Sequence, residues 1–175
     1  MHPNPHPSGL FSHFIKLAVH LENGNPGLEL KPGCATLRSI DATAQVRDRP
    51  HDYRDIGPHV EGMSYLAGRW RIEQESALSE GPDAAISLRY TAKDVNLVMG
   101  PAAGVSVRAE ITLEGAQRPG DDVKCEGKRG YITVDGPRMY NVVANESVVS
   151  GGLTIRAEAA GLAAYAFTFI SCVVS

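Results

Sequence analysis

The stretch "VSVRAEITLE" (residues 105–114) narrows the choice of fold more than any other part of the chain. Val105, Val107, Ala109, Ile111 and Leu113 alternate without a break with Ser106, Arg108, Glu110, Thr112 and Glu114. Successive side chains of a strand point to opposite faces, so this run has one face for a core and one for water. Wound as a helix, the same apolar residues would be scattered around the whole surface. A one-sided strand needs a second layer to cover it, and the chain supplies further runs of the same kind: "RWRIEQE" (69–75), "AAISLRY" (84–90), "DVNLVMG" (94–100), "YITV" (131–134), "RMYNVVA" (138–144), "LTIRAEA" (153–159) and "AYAFTF" (164–169). Turn signals such as "SEGPD", "GPAAG", "EGAQRPGDD", "DGP" and "VSGG" separate them. Short strands at this spacing, with no helix-length stripe among them, predict an all-β antiparallel β-sandwich wired as a Greek key or jelly roll.

The chain has 175 residues, enough for one domain with a sizeable core and a tail. "MHPNPHPSG" is rich in Pro and His with nothing to bury, which predicts a disordered lead-in. Its His2 and His6 lack the further ligands a metal site needs. Residues 10–31 carry both a helical stripe (Leu10, Phe11, Phe14, Ile15, Ala18, Leu21) and a strand alternation (Ile15, Leu17, Val19, Leu21). The "ENGNPG" turn followed by "LEL" favours the strand, as half of a hairpin. Residues 34–62 show little period and end in Pro/Gly punctuation, the pattern of a linker. The expected division is therefore residues 1–61, divergent and partly disordered with a candidate hairpin; 62–170, the sandwich; and 171–175, a tail. Within the sandwich, Ile86, Leu88 and Tyr90 share one face and Val95, Leu97 and Met99 another, which makes the intervening "TAKD" a corner between two strands.

Several function classes are excluded or weakened. Net charge is −3, charged residues make up 21% and are mixed in sign, and no Lys/Arg cluster is interleaved with aromatics, so the footprint for phosphate backbones is missing. No apolar run approaches the roughly 18 to 20 residues needed to span a bilayer. The N-terminus lacks the features of a signal peptide. The three cysteines, Cys34, Cys125 and Cys172, lie far apart with no C-x-x-C pair, which argues against thiol–disulfide catalysis by this chain alone. Small buried or half-buried thiols are expected, and an oxidising compartment leaves open a Cys34–Cys125 or Cys125–Cys172 bridge.

Hydrolytic chemistry finds little to work with. Glu73, Glu75, Asp83, Asp94, Glu110 and Glu114 are available as paired carboxylates, but most fall on the polar face of a strand, where a solvated role is the rule. No G-x-S-x-G, H-E-x-x-H or P-loop occurs. All histidines lie between residues 2 and 59, so a Ser-His-Asp relay within the sandwich requires the N-terminal segment to fold back. The expectation is a non-enzyme without metal or cofactor. Trp70 has two readings, core anchor or sugar-stacking platform, and Ile72 on its face favours the core. Tyr131, Arg138, Tyr140 and Asn141 gather around the turn "DGPR" and form the candidate ligand-binding set, able to bracket a sugar at a loop tip. The competing reading is a tyrosine pair that fills the sandwich edge.

At "LAGRWRIEQESALSEGPDAAISLRYTAKDVNLVMG", at "GPRMYNVV" and at "GLAAYAFTF" the sequence resembles the C-terminal domain of the DipZ-type (TlpA-like) thiol:disulfide interchange proteins. The matching elements are an L-x-G-x-W entry, DAAI-x-L-x-Y-x-AKDV, Y-x-VV and a final FTF, in order over about residues 62 to 169. The resemblance implies a jelly roll of the galactose-binding or carbohydrate-binding-module type, located outside the cytoplasm. It implies carbohydrate as a ligand, and a thioredoxin-like domain or a membrane redox protein as a partner. The family's redox cysteines lie in a thioredoxin-like part with no counterpart here, so the resemblance carries over no catalytic residue.

Overall fold

The computed structural model describes residues 48–171; the candidate hairpin, His2, His6, Cys34 and Cys172 lie outside them. Nine strands follow one another: β1 (Pro50–Tyr53), β2 (Ser64–Ile72), β3 (Ala77–Ser79), β4 (Ala85–Pro101), β5 (Val107–Glu114), β6 (Lys124–Glu126), β7 (Arg129–Val134), β8 (Arg138–Ala157) and β9 (Leu162–Ile170). Every pairing between them is antiparallel.

Two strands are long enough to belong to both layers of the sandwich. The first half of β4 pairs with β2 on one side and the second half of β8 on the other. Its second half pairs with β9 and the first half of β8. The first layer thus runs β1–β2–β4–β8–β5–β7–β6, and the second runs β3–β9–β4–β8. From β2 through β5, and again along β8 and into β9, the chain passes from one layer to the other at each step, which is jelly-roll wiring. The expected all-β sandwich is what forms.

The "TAKD" corner takes a form the sequence reading did not foresee, because "AAISLRY" and "DVNLVMG" are one continuous strand. Ile86, Leu88, Tyr90 and Ala92 are buried on even positions, and Val95, Leu97 and Met99 on odd ones. The register slips between Ala92 and Asp94, where Ala92 faces Val149 and Asp94 faces Ala144. There β8 spends five residues against two on β4, and across this β-bulge the buried positions of β4 change parity, which keeps the apolar set on the core side as the strand bends from layer to layer. "VSGG" is likewise not a turn but lies within β8, whose Gly151 and Gly152 face Tyr90 and Arg89.

The linker assigned to residues 34–62 also needs correction. Pro50–Tyr53 form an edge strand on β2, and Tyr53 is 3% exposed within the core cluster. Four residues beginning with Pro and carrying two polar side chains give too short a pattern to be seen by period alone. Val105 departs in the other direction: it stands outside β5 and is 71% exposed, because β7 ends opposite Val107. Trp70 is fully buried, its Nε1 donating to the Ala67 carbonyl at 2.8 Å, so its ring is a core anchor with no face for a sugar. Gly68, in the L-x-G-x-W entry, has φ +80°, and a Cβ there would stand 3.0 Å from Ala84 Cα, which makes glycine the residue that fits.

Candidate functional site

The first layer has one apolar and one polar face, and strand register sorts its side chains into rows. On the inner face, Leu66, Ile86, Ile155 and Ile111 lie side by side across β2, β4, β8 and β5. On the outer face the same strands carry hydrogen-bonding groups. A hydroxyl row crosses the sheet as Tyr65, Ser87, Thr154 and Thr112, with Ser87 Oγ 3.1 Å from Thr154 Oγ1. Two residues along the strands in one direction, Arg89 lies between Glu61 and Gly152, and Glu114 follows beyond the glycine. Two residues in the other direction come Ala85, Arg156, Glu110, Tyr131 and Lys124. Charged rows thus flank a hydroxyl row in which Tyr65 and Ser87 are buried, Thr154 is half-buried and Thr112 is exposed.

The ends of this face are built differently. At the β7 end the Arg108 guanidinium lies 3.8 Å over the Tyr131 ring, and reaches Glu126 at 2.6 Å and Glu158 at 3.7 Å. Arg129 stands 3.6 Å from Glu110. The hydrogen bond from Arg108 to Glu126 raises its pKa, and that between Arg129 and Tyr131 does the same for Arg129, so both remain cations. At the β2 end the connection 54–62 forms a wall. Gly62 donates its N–H to the Arg89 carbonyl at 2.8 Å, and Val60 donates to the Tyr65 hydroxyl at 2.7 Å. The His59 ring stacks on Tyr65 at 4.4 Å between centroids, and its Nε2 meets both Asp55 oxygens at 2.7 and 2.8 Å.

The N-terminal segment therefore does fold back far enough to bring two histidines onto the sandwich, His51 within β1 and His59 against Tyr65. Among the described residues Asp55 is the only hydrogen-bond partner of His59, and no group of three or more His, Cys, Asp or Glu side chains has the geometry to hold a metal ion. An Asp–His pair without a hydroxyl or thiol at the ring has a base and no nucleophile.

The four residues expected around "DGPR" are divided between two places. Tyr131 lies on the outer face just described, while Arg138, Tyr140 and Asn141 belong to the part of β8 in the second layer. The Tyr140 ring is fully buried, and Arg138 covers it at 3.7 Å. The Tyr140 hydroxyl accepts from the Asp135 and Gly136 amides at 3.1 and 3.3 Å, which staples the turn. Burial pushes its pKa up, partly opposed by those amides. Arg138 pairs with Asp122 at 2.8 Å. Burial alone would raise the Asp122 carboxyl, but the Arg138 hydrogen bond and the Asn141 amide outweigh it and hold it below its usual value. The Asn141 side chain donates to Asn96 Oδ1 at 2.8 Å and accepts from the Asp121 amide at 2.9 Å. These three residues hold the chain together at the 118–122 loop and the 135–137 turn.

Sequence reasoning placed Thr112 on the wet face of its strand and singled out none of Arg89, Thr154 and Arg156. The alternation that identified the strands was the signal for them, but it gives no cross-strand register, and only register gathers them into rows.

The chain is 32% identical over 172 residues to the protein DipZ of Mycobacterium bovis and to that of Mycobacterium tuberculosis, matches that cover 85% of this chain. It spans 22% of the length of those relatives. Among solved structures, a family two carbohydrate esterase from Cellvibrio japonicus superposes with a TM-score of 0.52 at 12% identity, covering 71% of this chain and 34% of the other, a likeness of fold. The family described as Thioredoxin like C-terminal domain matches residues 35–169, which takes in β1 and the segment before it as well as the later motifs. Through that match and the DipZ identity, the chain belongs to the thioredoxin-like C-terminal domain family, as a domain of the DipZ type.

Proposed function

We propose that this domain is a non-catalytic accessory module of a thiol:disulfide interchange protein outside the cytoplasm, and that it binds carbohydrate on the outer face of its first layer. The observation that carries the reading is the outer face itself. Arg89, Arg156, Thr112 and Glu114 stand on a regular sheet with no ion pair to occupy either arginine among the described residues. Rigid strands hold such groups more firmly than loops, and saccharides are bound by planar polar side chains together with an aromatic ring, here Tyr131. Membership of the DipZ-type family supports the accessory role, and a fold shared with a carbohydrate esterase is compatible with it. Calorimetric titration with a panel of cell-wall and exopolysaccharide sugars tests the claim: heat of binding is expected from at least one member, and silence across the panel at millimolar ligand overturns it.

A second reading is favoured by one feature. Cys125 is exposed on β6, the edge strand of the first layer, between Lys124 and Glu126. An accessible thiol on an open edge suits a partner surface for a thioredoxin-like domain. Insulin reduction by such a domain, measured with and without this module, separates the readings. An acceleration lost on Cys125→Ser favours the redox role; no acceleration removes it.

A further inference from the structure

The first layer ends in an open edge. Strand β6 pairs with β7 on one side, and among the described residues no strand pairs with its other side. All three of its residues are exposed. The two-residue turn Gly127–Lys128 closes on the facing pair Glu126 and Arg129, with Cys125 opposite Gly130 and Lys124 opposite Tyr131. Bonded and non-bonded pairs alternate along an antiparallel ladder, and a two-residue turn closes on a bonded pair. Glu126 and Lys124 therefore spend their backbone groups on β7, while the N–H and C=O of Cys125 point out to the open edge.

Charge says which chain fits that edge. Residues 121–129 read "DDVKCEGKR", and reversal about Cys125 sets Lys124 against Glu126, Asp122 against Lys128 and Asp121 against Arg129. The turn end of the edge is thus basic and the loop end acidic. Glu126 is held by Arg108 and Asp122 by Arg138, but Lys124 and Lys128 have no ion pair among the described residues. Short, charged edges keep strands of other chains away, and a parallel copy in the same register would set each charge against its like. An antiparallel copy meets an opposite charge at each of these positions. We propose that β6 pairs antiparallel with β6 of a second copy of this chain, about a twofold axis midway between the two Cys125 residues. The two Cys125 exchange backbone hydrogen bonds, and on the outer face Lys124 stands opposite the partner's Glu126, once on each side of the axis. Because the operation uses up the edge that it joins, it closes a dimer rather than starting a fibre. The Cys125 Cα atoms then lie about 5.5 Å apart, the spacing of a bonded antiparallel pair and one that a disulfide spans. The pairing rests on the edge and its charges, and on neither reading of the function.

The test uses the full chain with Cys34→Ser and Cys172→Ser, so that Cys125 is its one thiol. Sedimentation equilibrium under reducing conditions is expected to show monomer and dimer in exchange, with Kd on the order of 0.1–1 mM for so small an interface. Lys124→Glu and Glu126→Lys each set like charges opposite one another and should weaken the dimer about tenfold or more. Mixed in equal amounts, the two variants have opposite charges at both positions again, and a heterodimer as tight as the unmodified dimer is expected. Cys125→Ser should leave this association unchanged. Oxidised glutathione then reads the geometry. One Cys125 thiolate attacks its S–S bond and releases a first glutathione thiol, and the partner's Cys125 attacks the mixed disulfide and releases the second. Non-reducing electrophoresis should show a covalent dimer from the unmodified chain and from the mixture, and glutathionylated monomer from each charge variant alone. Thermal melting of each variant separates lost pairing from lost folding. A monomer at every concentration, a dimer indifferent to both charge reversals, or a mixture that fails to restore it each overturns the proposal. Any of these leaves the sugar titration and the insulin assay to decide the function by themselves.

Discussion

Tyr140 shows how one side chain can suit two roles until its surroundings are known. Next to Arg138 and Asn141 in sequence it has the makings of a sugar clamp, yet it stands on the inward side of β8 and spends its hydroxyl on the turn. Its neighbour Asp122 has a lowered pKa, so it contributes stability above the ordinary carboxylate range and loses it as pH falls through the folded-state value. Asp122→Asn should therefore flatten the acid limb of a melting-temperature profile. Tyr90 acts at the opposite end of the scale. Burial raises its pKa from 10.0 to about 12, opposed by a hydrogen bond with Asn145, and its hydroxyl donates to Gln117. The native state keeps that proton where the unfolded chain has lost it, so stability should be intact below pH 10 and fall between 10 and about 12. Tyr90→Phe should remove that alkaline slope, measured by denaturant melts across the range. Trp70→Ala should cost about 3–5 kcal/mol in the same experiment, the usual penalty for emptying a fully buried aromatic site.

At the scale of an element, β4 is the most instructive. Its two apolar runs were legible as strand-forming, because alternation is a local property, but their union was not. A charged tetrapeptide reads as a turn when nothing indicates that β8 bends alongside it. The bulge predicts a sharp difference between changing a residue and removing one. Lys93→Ala should alter stability within about ±0.5 kcal/mol, as for other surface substitutions. Deleting Lys93 should bring Val95, Leu97 and Met99 to the wrong face of the second layer and abolish cooperative unfolding, followed by near-ultraviolet circular dichroism. Gly120 illustrates a constraint of closeness: a Cβ there would lie 2.3 Å from the Asn141 carbonyl oxygen. Gly120→Ala should cost about 1–3 kcal/mol, the range for overpacking that forces backbone to shift.

For the molecule as a whole, the question is where the domain begins. Starting it at residue 62 would strip β1 and the 54–62 wall from β2, and with them the buried Tyr53. A chain beginning at Gly62 should melt below one beginning at Asp48, a comparison that scanning calorimetry settles. The sequence by itself determined the fold class, because one-sided strands with no helical stripe can be satisfied only by a second layer. It also favoured an inward Trp70, since its strand partner Ile72 shares its face, and the structure buries the ring completely. Tertiary structure alone decided the rest: that four apolar runs are two strands, that β1 closes an edge, that Tyr131 parts from Arg138, Tyr140 and Asn141, and that Arg89, Thr112, Thr154 and Arg156 form a surface. The reason is the same in each case. A period of two says which face a residue occupies, but what stands beside it is set by register between residues far apart in the chain, 67 positions for Ser87 and Thr154.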